Sequence, residues 1–137
     1  MDQVVHYLSD KAHYTAEACI IWCFDDRFSH LLEAFLAKEN FEHIDLVKVA
    51  GGVKDITSPD AGTKQEYLMD QIEKSIKLHH TPRIILMAHS ECGAYGGLED
   101  TNFYSKELQK GKDIILQKYP NLSMDIYFAD FEGLSRI

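Results

Sequence analysis

Apolar runs of strand length alternate along this chain with apolar stripes of helical period, and that alternation predicts an α/β fold whose mostly parallel sheet is flanked by helices. Two further observations sharpen the expectation. A chain of 137 residues fits one domain that buries a core without staples. Two of the apolar runs, Ala18 to Trp22 and Arg83 to Ala88, lead directly into clusters of thiol, imidazole and charged side chains. In open α/β sheets such clusters belong at the carboxyl ends of strands, where ligands bind.

The elements follow in order. Residues 1–16 are polar with scattered Tyr, Val and His, and read as an N-terminal arm or a short helix capped near Ser9-Asp10. Ala18 to Cys23 is the first strand. Phe28, Leu31, Leu32, Phe35 and Leu36 then fall at i, i+3, i+4, i+7 and i+8, the stripe of a helix laid on a sheet, ending near Asn40. Ile44 to Val49 is a short β-rich run closed by Ala50-Gly51-Gly52, where backbone passes close to a neighbour. Ser58-Pro59-Asp60 predicts a helix start, serine as cap and proline at the first position, and Leu68, Ile72 and Ile76 carry that helix's stripe to about His79. Arg83 to Ala88 is the third strand. A helix from about Asn102 to Tyr119 ends at Pro120, and Met124 to Ala129 is the fourth strand, followed by a turn over residues 130–133 and a tail. With right-handed crossovers and strand order 2-1-3-4, the winding reverses between strands 1 and 3. One domain, residues 1–137, contains all of this.

Composition narrows the classes of function. Hydrophobic residues make up 45% and charged residues 26%, as in ordinary soluble globular domains. A formal net charge of −8 argues against a nucleic-acid binder, which must supply clustered Lys and Arg against phosphate. No run approaches membrane-spanning length and no leader pattern opens the chain, so no membrane association and a cytoplasmic location are expected. Three cysteines are too few and too irregular for a disulfide framework. Cys19 reads as a small core residue.

Cys23 and Cys92 need another explanation. Strand 1 delivers Cys23, Asp25 and Arg27 at alternate positions, and strand 3 delivers His89-Ser90-Glu91-Cys92-Gly93. Each residue alone has an ordinary reading: a core thiol, a hydrogen-bonded histidine, an ion pair at a helix start in which Asp26 is the carboxylate the helix dipole favours. Together, two thiolates and one imidazole at adjacent strand ends form a three-ligand set for Zn2+ with a fourth position free. Zinc with an open position lowers the pKa of its water to about 7. Asp25 then accepts a hydrogen bond from that water and aims it, and Arg27 keeps Asp25 ionised.

Cys23-x-Asp25-x-Arg27 followed by His89-x-x-Cys92-Gly93 resembles the paired signature of the β-class carbonic anhydrases, and Ile126 to Asp130 before a glycine turn resembles the family's closing pattern. The resemblance implies Cys23, His89 and Cys92 as zinc ligands and Asp25 with Arg27 as the orienting dyad. It implies reversible hydration of carbon dioxide to bicarbonate by a zinc hydroxide, a β-carbonic-anhydrase-like fold, and a homodimer or larger homo-oligomer with sites near the subunit interface. Gly51, Gly52 and Gly93 are expected to form the substrate pocket. In some relatives the first motif's aspartate itself takes the fourth zinc position, and a few act on carbon disulfide or carbonyl sulfide.

The chain also departs from the family pattern. Lys48-Val49-Ala50-Gly51-Gly52 stands where Arg-Asn-Ala-Gly-Asn is common, so the polar backing of the pocket differs. Asp26 replaces the usual serine and adds charge, and the segment after Cys92 is shorter than is common. Two rival readings stand beside hydration: a non-catalytic zinc-binding domain of the same fold, and a metal-free thiol enzyme using Cys92 with His89. Gly93-Ala94-Tyr95-Gly96-Gly97 lacks the ending of a P-loop and reads as a turn, with Tyr95 as packing, and His79-His80 reads as a solvated, dipole-favoured pair.

Overall fold

The computed structural model describes residues 1–137. Its centre is β1 (Ala18–Cys23), every residue of which is buried. Such burial follows from a run with apolar side chains on both pleat faces. Cys19, Ile21 and Cys23 enter one core cluster, while Ala18, Ile20 and Trp22 enter another. Two strands flank β1 in parallel: β2 (Ile44–Val49), paired from Ala18↔Ile44 to Cys23↔Val49, and β3 (Arg83–His89), paired at Cys19↔Ile84 to Ile21↔Leu86. Beyond β3 lies β4 (Ser123–Ala129), also parallel, and then β5 (Leu134–Arg136), antiparallel. The order β2-β1-β3-β4-β5 extends the expected 2-1-3-4 by one strand in the stretch read as a tail. Asp130 makes that return, its Oδ1 accepting from the amides of Glu132 and Gly133 while its own amide donates to the Gly133 carbonyl.

Helix α1 (Ser29–Glu39) covers one face with Leu32 and Phe35, together with Phe28 just before it. The opposite face takes α2 (Lys54–Thr57), α3 (Gly62–His79) and α4 (Thr101–Lys118), through Ile56, Leu68, Ile72, Tyr104, Leu108 and Ile115. The stripes predicted from 28–36 and 68–76 are the faces that pack.

The helix start at Ser58-Pro59 needs correction. Val53 and Ile56 are fully buried and form the extra turn α2, which ends on Ser58, its amide donating to the Lys54 carbonyl; α3 begins only at Gly62. Pro59 stops α2 instead of opening α3, because the residue before a proline is pushed out of helical geometry. The N-terminal segment contains no helix and is an exposed arm, tied down at Tyr14 to Glu17.

The histidine pair at the end of α3 also differs from its solvated reading. His80 ends the helix in the left-handed conformation, but His79 is engaged: its Nδ1 meets both Asp45 oxygens at 2.9 and 2.8 Å, and its ring lies 4.1 Å from that of Tyr14. Asp45 also accepts from Tyr14 Oη and Ser75 Oγ, so one carboxylate joins the arm, β2 and α3 below the sheet. No helix is long and apolar enough to cross a membrane.

Candidate metal centre

Winding outward from β1 to β2 and back across to β3 opens a crevice beyond the carboxyl ends of β1 and β3. Cys23 is the last residue of β1 and His89 the last of β3, where it pairs with Ala129. Cys92 follows in a turn pinned by a bridge to Leu98. The three are 4%, 1% and 2% exposed, and their ligand atoms all lie within 4.8 Å of one another. The two Sγ atoms are 3.9 Å apart.

The imidazole is set by its surroundings. Nδ1 lies 2.8 Å from the Ser90 carbonyl, which requires the proton there and leaves the Nε2 lone pair free. The rings of Phe28 and Trp22 lie against it at 4.6 and 5.7 Å. Nε2 is buried, faces the two sulfurs and has no hydrogen-bond partner. A buried lone pair without a partner is costly. Together with two thiols and an imidazole held by a carbonyl on its other nitrogen, it is the donor set of a soft, borderline metal ion, and these residues fit zinc.

Charge in the cluster agrees with this. The Cys23 thiol is held well below its ordinary range by its contact with Cys92 and by His89, with the Gly51 amide donating to Sγ at 3.4 Å, whereas the same contact and burial push Cys92 up. The site thus favours a thiolate at Cys23, the form in which sulfur binds a metal ion. Burial opposes protonation of His89, but Cys23 and the Ser90 carbonyl more than offset it and raise its pKa.

Asp25 caps the 3-10 turn Asp26–Phe28 through the Arg27 amide, and the Arg27 guanidinium holds both of its oxygens: Nε at 3.1 and 3.2 Å, Nη2 at 2.8 Å. That pairing holds the carboxyl below its ordinary range. Asp25 Oδ2 stands 4.0 Å from His89 Nε2. Asp26 accepts from Ser29 Oγ and borders the cavity over the cysteines.

A cavity of about 550 Å3 opens over the cysteines, walled by Phe24, Asp25, Ala50, Gly51, Gly93 and Ala94 among others. Gly52 does not line it. Gly52 sits beneath, at φ +55, where a Cβ would stand 3.1 to 3.3 Å from backbone atoms of Met87, Cys23 and Trp22. Tyr95 turns away and donates to Glu107 in a packed aromatic group with Phe103 and Tyr104.

Three further residues take part that no sequence motif singles out. Phe24 forms an exposed apolar wall, Glu91 reaches back to Arg27, and Phe131 lies tilted against Phe28 with its ring 5.3 Å from the guanidinium carbon. Glu91 has a local signal, a carboxylate between two ligand candidates. Phe131 has none, because its place depends on the β4–β5 turn.

Comparison with known proteins agrees with this architecture. Solved structures with the same fold include a carbonic anhydrase from Streptococcus mutans (TM-score 0.62, 14% identity, 91% of this chain and 83% of that one) and β-carbonic anhydrase isoform I from Trichomonas vaginalis (TM-score 0.65, 11% identity, 96% and 87%). A tetrameric β-carbonic anhydrase from Sordaria macrospora matches at TM-score 0.56 and 16% identity, over 90% and 81%. An uncharacterized protein of Rickettsia conorii is 28% identical over 133 residues, covering 87% of this chain and 70% of that protein, and one of Rickettsia bellii is 25% identical over 130 residues, covering 87% and 79%. The family model described as "Putative carbonic anhydrase" matches residues 13–133, both halves of the crevice included, and the chain therefore belongs to that carbonic anhydrase family, as a divergent member with the β-class fold.

Proposed function

We propose that this protein catalyses the reversible hydration of carbon dioxide to bicarbonate with zinc held by Cys23, His89 and Cys92. The observation that carries the proposal is the buried, partnerless Nε2 of His89, grouped with two cysteine sulfurs beside an arginine-clamped carboxylate. Zinc bound there supplies a Lewis acid that makes hydroxide available near neutral pH.

The chain's own residues do the rest. Asp25, kept ionised by Arg27, would accept a hydrogen bond from the reacting water and orient it toward carbon dioxide. Phe24, Ala50 and Ala94 give the cavity an apolar wall suited to a small linear substrate without charge. Water oriented in this way would add to the substrate carbon to give bicarbonate, its other proton passing to solvent or buffer.

The single domain acts as a homodimer or larger homo-oligomer in the cytoplasm. Exposed Phe24 and Phe131 beside the site support association, and three unpaired cysteines suit a reducing compartment.

Stopped-flow hydration with zinc-loaded protein, across about pH 7 to 9 around the expected zinc-water pKa, tests the proposal. Activity should vanish together with zinc in Cys92→Ser, and should fall while zinc is retained in Asp25→Ala. No hydration by protein that demonstrably holds zinc would overturn it, and would turn attention to carbonyl sulfide and carbon disulfide and then to a non-catalytic binding role.

A further inference from the structure

Arg27 makes more contacts than an orienting partner of Asp25 requires. One edge of its guanidinium meets Asp25; on the other, Nη1 donates to Glu91 Oε2 at 2.9 Å, and Nη2 also reaches the Glu91 carbonyl at 3.2 Å. Phe131 and Phe28 lie 5.3 and 5.8 Å from its central carbon. All of its N–H-bearing nitrogens are thus engaged, and an aromatic ring limits its swing.

Glu91 reaches this position in an unfavourable backbone conformation. Its φ of +55 is rare for a residue with a side chain, and its amide donates to the Leu98 carbonyl at 2.9 Å. Glycine would adopt that turn without penalty, so the turn gives no reason for a glutamate. The ion pair gives little stability either, since both partners are near half exposed, at 45% and 40%, and such pairs contribute little. What the carboxylate does is fix the far edge of a planar group whose near edge fixes Asp25.

We infer that Glu91 is a positioning residue: it clamps Arg27 from the side opposite Asp25, and so holds the Asp25 carboxylate in the orientation hydration needs. The catalytic part of this inference rests on the proposed reaction, whereas the clamp can be examined alone.

Two substitutions separate the clamp from the fold. Glu91→Gly removes the carboxylate and suits the turn, and Glu91→Gln keeps an acceptor at the same reach. The Arg27 side-chain resonances in 15N–1H spectra of the zinc-loaded protein read the clamp directly. Restricted, separately resolved Nη signals are expected in the parent and in Glu91→Gln, with averaging in Glu91→Gly. Hydration by Glu91→Gly should fall about tenfold, the scale of losses when an outer partner of a metal site is removed. Glu91→Gln should recover most of it, with the urea midpoint of Glu91→Gly no lower than that of the parent.

Arg27 signals unchanged in Glu91→Gly, or a glutamine variant as impaired as the glycine one, would overturn the inference. Absence of hydration in the parent would instead remove the proposed reaction, leaving the Arg27 spectra to judge the clamp.

Discussion

Gly111 lies inside α4, where an exposed glycine would cost about 1 kcal/mol against alanine. Here the sign should reverse. A Cβ on Gly111 would stand 2.5 Å from Val53 Cγ2 and 3.1 Å from Leu86 Cδ1. Val53 is fully buried in the turn after Gly51-Gly52, and Leu86 is fully buried in β3, so neither can step aside freely. Overpacking of this kind costs about 1–3 kcal/mol, which sets the helix gain against a larger loss and leaves a net destabilisation of up to about 2 kcal/mol. Urea unfolding of Gly111→Ala, Val53→Ala and the double variant measures it. Val53→Ala removes the clashing methyl, so the double variant should be more stable than the sum of the singles by about 1 kcal/mol or more, well outside the ~0.5 kcal/mol scatter of independent sites. A higher urea midpoint in Gly111→Ala, or strict additivity, would refute the packing argument. The same displacement should weaken zinc binding, because Val53 is bonded to the loop whose Gly51 amide reaches Cys23 Sγ.

Other predictions concern the ends of the sheet. At Asp45 burial raises the carboxyl pKa, but hydrogen bonds from Ser75, His79 and Tyr14 outweigh it, and the folded-state value lies below the ordinary one. Its contribution is therefore complete above the unfolded-state pKa of about 4 and is lost as pH falls through the lower folded-state value. Asp45→Asn should cost about 1.5–3 kcal/mol near pH 7, and its urea midpoint should converge on the parent's as pH drops to about 2; a gap that persists there would contradict this. Zinc at a hundredfold excess over its dissociation constant should stabilise the parent by about 2.7 kcal/mol and leave Cys92→Ser unmoved, as read by the urea midpoint with and without chelator. Equal stabilisation of both would place the ion elsewhere.

How much of this was legible in the sequence depended on how local each determinant is. The runs ACIIW and IILMA are apolar on both pleat faces, so their burial at the sheet centre and the placing of Cys23 and His89 beyond them followed directly. The stripes of α1 and α3 follow the same logic. By contrast, β5 is only three residues long, half-buried at Leu134, and exists because the Asp130 turn returns the chain onto β4. The proline at 59 is a true local signal, but of the end of α2 and not the start of α3, since the burial of Val53 and Ile56 that creates α2 is a tertiary fact. The Asp45 knot and the Glu91–Arg27 pair join residues 30 to 64 positions apart, and no pattern along the chain announces them.

The proposed metal centre consists of one ion in one set of ligands, which X-ray absorption at the zinc edge reads most directly. Zinc-loaded protein should show two sulfurs at about 2.3 Å and nitrogen or oxygen neighbours at about 2.0–2.1 Å completing a four-coordinate shell, with one zinc per chain and the sulfur shell lost in Cys92→Ser. A shell without sulfur, or zinc that survives Cys92→Ser with its neighbours unchanged, would contradict the metal centre and the function built on it.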